Sequence, residues 1–225
     1  MDMFIISILL IAILATLIYF ISRTNIDHLY LVLKTIFKKD TIVYILISLL
    51  FFPGTLIHEL AHALMARLLL LEVVSIRLIP QWKQRSITLG TVTYIKRGRL
   101  SSVIVGIAPI FGGIAALCLI ASLHMFPASD IKITVLLAYL IVAISSTMFA
   151  SKQDLVDAVH AIPAILFLLV VLYVVNRYTN LEKFAGFFAG LNVYVSPVTE
   201  MLMFALLCQG VLFILLYVIR KLLKK

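Results

Sequence analysis

Along this chain the charged positions gather into a few short clusters, and the apolar runs between them have the length of bilayer crossings. Residues 3–22 form the first run and contain no charge. A helix needs about 20 such residues to cross the hydrocarbon layer, so this run predicts a first span. It lacks a basic start and a small-residue cleavage site, which argues against a removable signal peptide. Residues 23–41 read as a mixed connector. The run 42–71 would be about 45 Å long as a helix, more than the layer is thick. It predicts a helix that is tilted, or broken at Pro53-Gly54. Further runs cover 102–126 and 131–150, then continue from the polar interruption 151–160 to 175, and end with 199–219. Segment 176–198 reads as a second mixed connector with an interfacial stretch. The expected fold is an all-α polytopic membrane protein of about six transmembrane helices, with residues 1–225 forming a single membrane domain.

The stretch 72–101 breaks the helical pattern. Val, Ile, Thr and Tyr are enriched and partly alternate with polar residues, which predicts two strands near 73–79 and 87–95 and a small surface β-hairpin. In "APIFGG", residues 108–113, the glycines let a neighbouring helix approach closely.

Composition agrees with this layout: 64% of the 225 residues are hydrophobic and 13% charged, and the mean hydropathy is +1.17. These values exclude an ordinary soluble domain. Cys118 and Cys208 fall inside apolar runs and read as packing residues rather than a disulfide or a soft-metal site. The net charge of +9 does not point to nucleic acid, because the basic residues flank the spans, where they meet lipid head groups and set orientation. Arg77, Lys83, Arg85, Lys96, Arg97 and Arg99 lie in connector 72–101, and Arg220, Lys221, Lys224 and Lys225 close the chain. Six crossings place both groups on the cytoplasmic side of a multi-pass protein, expected in the cell membrane. Connector 23–41 then lies outside despite Arg23, Lys34, Lys38 and Lys39.

Against that background the run "HELAH", residues 58–62, stands out. His58 and His62 are four apart and share one helix face, a spacing that lets both imidazoles reach one Zn2+. Glu59 is rotated by roughly 100° from His58, so it is free to take a proton from the water that zinc activates. A carboxylate in hydrocarbon costs several kcal/mol unless it has a partner, and ionisable groups within spans are functional by default. Catalytic zinc usually has three protein ligands. Candidates for the third are Glu72, Glu200, His124, His160, Asp154 and Asp157. Under the expected orientation, Asp154 and Asp157 enter from the same side as the histidines, while His124 and Glu200 sit toward the opposite face. Asp154 is preferred, with Asp157 as runner-up; both also suit a plain helix N-terminus in "SKQD".

The order of these elements resembles the site-2 protease type of intramembrane metallopeptidase. "HELAH", the helix 102–126 and the segment 131–160 match its core of an HExxH helix, an antiparallel helix and a third helix bearing an aspartate, over roughly residues 42–160. The family's Asn-x-x-Pro and Leu-Asp-Gly are absent. Ser, Thr and Ala stand in "SSTMFASKQDLVDA" where that Asn and Pro would be, "VDA" (156–158) echoes the triplet, and "SKQD" resembles a Ser-x-x-Asp form of divergent members. The resemblance implies a three-helix metallopeptidase core. It implies a zinc endopeptidase that hydrolyses a peptide bond in or beside a transmembrane segment of a membrane-protein substrate, with Zn2+ on His58, His62 and Asp154 and with Glu59 as general base. Two other readings stay open. One is a transporter whose His58, Glu59 and Asp154 line an ion path; the other is a pseudo-peptidase that keeps zinc for structure.

Overall fold

A computed structural model of the chain describes residues 2–78, 81–83, 86–88, 90–123, 125–148 and 182–223, with isolated positions between 156 and 178. The described residues are mostly helical. In chain order they form α1 (Asp2–Phe37), α2 (Asp40–Leu68), β1 (Val73–Arg77), β2 (Gln81–Lys83), β3 (Ser86–Thr88), β4 (Thr91–Tyr94), α3 (Arg99–Ser122), α4 (Ile131–Thr147) and α5 (Glu182–Leu223). Among the described residues, four helical stretches are long and apolar enough to cross a membrane: Ile6–Phe37, Asp40–Leu68, Leu100–Ser122 and Val195–Leu223. Helix α4 is apolar but has 17 residues, about 25 Å. Large apolar side chains such as Leu64, Leu207 and Val211 point outward, as expected where lipid rather than water is the neighbour. The expected crossing that ends at 175 lies largely outside the described residues.

Both expected connectors turn out to be largely helix. α1 continues through Arg23 and His28 to Phe37, and α5 begins at Glu182, well before the expected span. The polar residues of α1 are accommodated by packing. Asn25, buried, donates from Nδ2 to the Gln209 backbone carbonyl at 2.9 Å and to its Oε1 at 2.6 Å. Gln209 in turn donates to the Ser146 hydroxyl, and Ser22 donates to the Ser146 carbonyl at 3.3 Å. His28 stacks on Phe213, with ring centroids 5.5 Å apart. Ser22, Asn25 Nδ2 and Gln209 thus find partners between α1, α4 and α5, which lets the helix continue, while Asn25 Oδ1 and His28 Nδ1 are buried with no hydrogen-bond partner among the described residues.

α2 runs unbroken through Pro53. Proline deprives the carbonyl four residues earlier of its donor and crowds the turn before it. The next carbonyl, that of Leu50, accepts from the Tyr139 hydroxyl of α4 at 2.8 Å, a contact that ties this turn to α4. One residue on, Gly54 lies so close to α4 that an added Cβ would collide with the Ala143 carbonyl and the Thr147 hydroxyl. The "APIFGG" glycines act as expected. A Cβ on Gly112 would stand 2.8 Å from that of Ala61 on α2, and one on Gly113 would stand 2.7 Å from Met148. Small residues therefore bring α2, α3 and α4 together. Their inner faces, with Ile18 of α1 and Leu202 and Ala205 of α5, build a core that includes Leu117, Ile141 and Ile144.

The expected hairpin is two nested ribbons. β1 pairs antiparallel with β4, Ser75 opposite Thr93 and Arg77 opposite Thr91, with an irregularity between Val73 and Ser75. β2 pairs antiparallel with β3. Val73 and Tyr94 pack beside Ala66, Leu71 and Val105, which seats the outer ribbon on the junction of α2 and α3.

Candidate functional site

The histidines and glutamate of "HELAH" lie in the second half of α2, one turn beyond the close contact at Gly54. His58 and Glu59 are buried at 3% and 4% exposure, and His62 is half-buried. The four-residue spacing stacks the two imidazoles on one face, as the sequence required. Their Nε2 atoms are 3.1 Å apart, with ring centroids 4.7 Å apart and planes at 86°. Two imidazole nitrogens on one tetrahedral zinc, each about 2.0–2.1 Å from it, stand roughly 3.3 Å from each other. The observed separation is close to that of two corners of such a site.

Orientation of His62 comes from α3. Its Nδ1 lies 2.8 Å from the Val105 carbonyl oxygen, an atom that can only accept, so Nδ1 carries the proton and, in the neutral ring, Nε2 presents a lone pair. This is the outer contact that holds a ligating histidine in its metal-binding tautomer. The 3.1 Å approach is satisfied either by a His58 Nε2–H donating to that lone pair or by a cation accepting from both rings.

Glu59 has a neighbour that the helix pattern did not predict. Gly90, buried just before β4, lies against its side chain: a Cβ there would be 2.5 Å from Glu59 Cγ and 2.7 Å from Oε1. The glycine is required here for space. The outer ribbon thus covers the carboxylate with bare main chain. A glycine within a strand pattern is a recognised sign of close backbone approach; "LGT" carried that sign, though not the identity of what approached.

Of the third-ligand candidates, Asp154, Asp157, His160 and His124 lie outside the described residues. Glu72 is exposed at the end of the turn after α2, its carbonyl accepting from Ile95 N at 2.9 Å. Glu200 is exposed on α5 beside a cavity of about 520 Å³ lined by Ser122, Phe126 and Pro197. Ser122 lies 17 residues beyond Val105 along α3, about 25 Å. Neither glutamate is brought to the histidines. Among the described residues no group of three or more His, Cys, Asp or Glu is assembled as a metal's ligands would be. Compared with known proteins, the chain matches no family model, no curated sequence and no solved structure.

Proposed function

We propose that this chain is a polytopic zinc endopeptidase, a divergent relative of the site-2 protease type, acting on a peptide bond in or next to a transmembrane segment of another protein. The observation that carries the reading is the convergence of the His58 and His62 Nε2 atoms on a buried helix face, with His62 locked by Val105 and Glu59 in the same turn. His58, His62 and Asp154 would hold the ion, with Asp157 as the alternative third ligand. Zinc, when bound, supplies Lewis-acid activation of water and of the scissile carbonyl. The chain's own part is proton handling and positioning. The Glu59 carboxylate takes the proton of the attacking water and returns it to the leaving nitrogen. The α2–α3–α4 wall excludes bulk water. The outer ribbon offers a strand edge on which an unwound substrate can pair. About six crossings, a location in the cell membrane and a cytoplasmic C-terminus belong to the same proposal.

Metal analysis of the purified chain tests it, with about one zinc per chain expected. Near-zero occupancy without chelator would remove the reading, and ion uptake into proteoliposomes would favour the transporter. Asp154→Ala is expected to abolish zinc retention, whereas Asp157→Ala weakens it by about 10–100-fold, as loss of a supporting contact does. The reverse pattern would transfer the ligand role to Asp157.

A further inference from the structure

The His62 contact raises a question about α3. A carbonyl inside a helix normally accepts from the N–H four residues later, yet the Val105 carbonyl accepts from a side chain on another helix. The residue four later is Pro109, inside α3 and fully buried. Proline has no N–H, and its ring pushes away the carbonyl of the preceding turn. The acceptor that orients His62 is thus one that the helix itself cannot use.

We infer that Pro109 is a positioning residue for the metal site: by withholding the N–H that would pair with the Val105 carbonyl, it reserves that oxygen for His62 Nδ1–H and keeps His62 Nε2 bare toward His58. Two further features fit. Gly112, three residues after the proline, lets α3 approach Ala61, one residue before His62, so the carbonyl comes within hydrogen-bonding range. Val105 itself is buried against Ala66 and Leu71, so water does not compete for the oxygen. The role in metal binding rests on the zinc reading; the role in setting the tautomer does not.

The variant Pro109→Ala separates the two. It restores an N–H that competes for the Val105 oxygen and also replaces a poor helix residue by the best. A purely structural proline would therefore give a variant with unchanged metal affinity. The expected result is a thermal midpoint equal to or above wild type, together with zinc affinity reduced about 10–100-fold. Nitrogen-15 NMR of labelled histidine should show His62 protonated at Nδ1 in metal-free wild type and shifted toward the Nε2–H form in Pro109→Ala. Pro197→Ala, at a helix-interior proline of α5, serves as control and should change neither reading. Wild-type zinc affinity and tautomer in Pro109→Ala would overturn the inference. So would an Nε2–H tautomer of His62 in the wild type, a measurement that needs no variant. Absence of zinc from the wild-type chain would sink the zinc reading alone, leaving the tautomer comparison to decide the role of Pro109.

Discussion

Under the zinc peptidase reading, a single side chain separates chemistry from metal binding. Glu59→Gln keeps the shape of Glu59 but cannot accept a proton, so zinc should be retained while cleavage of a model membrane substrate falls by about 10²–10⁴-fold. Loss of zinc in that variant would make Glu59 a ligand; wild-type turnover would end its role as base. Gly90→Ala tests the covering strand. The added methyl collides with Glu59, so the ribbon must lift or the carboxylate must turn. A stability loss of about 1–3 kcal/mol in thermal unfolding is expected, with reduced cleavage, whereas Gly98→Ala, whose methyl would meet nothing within 4 Å, should match wild type. The histidine pair and Glu59 were legible in the sequence because a helix turns local spacing into facing. Gly90, 31 positions away, and Val105, 43 away, were not, because only tertiary packing brings them to the site.

Between elements, the decisive contacts are made by residues with almost no side chain. Gly54→Ala drives a methyl into the backbone of α4 and should lower stability by about 1–3 kcal/mol. Gly190→Ala has open space around the new methyl and removes a poor helix former, so thermal unfolding should show it neutral or slightly stabilised. Equal costs at both positions would refute the close α2–α4 contact. Hydrophobic pattern placed the four membrane-length helices, α4 and the outer ribbon among the described residues, but it ended α1 too early and started α5 too late. It read segment 23–41 by its polarity, whereas Gln209 and Phe213 on a distant helix receive Asn25 and His28. Of the two expectations for the long second run, a tilt or a break at Pro53-Gly54, the break did not occur, and α2 is continuous through Pro53.

For the molecule as a whole, charge distribution makes a prediction about sidedness. Connector 72–101 and the C-terminus should face the cytoplasm together. Cysteine labels introduced at Gln84 and Lys225 should therefore react from the same side in sealed vesicles. Labels reporting opposite sides would refute the six-crossing layout and, with it, the argument that Asp154 and the histidines enter from one face.

The amide chain from Asn25 through Gln209 to Ser146 has a bearing on how the molecule is made. Its members lie on α1, α5 and α4, far apart along the chain. During synthesis Asn25 enters the bilayer long before Gln209 leaves the ribosome, and an unmet amide in hydrocarbon is costly. Asn25 therefore meets these partners only once α5 has been made and has packed against α1. A nascent chain halted before α5 would carry an exposed polar mark in its first span, the kind of defect by which membrane quality control can recognise an unfinished protein.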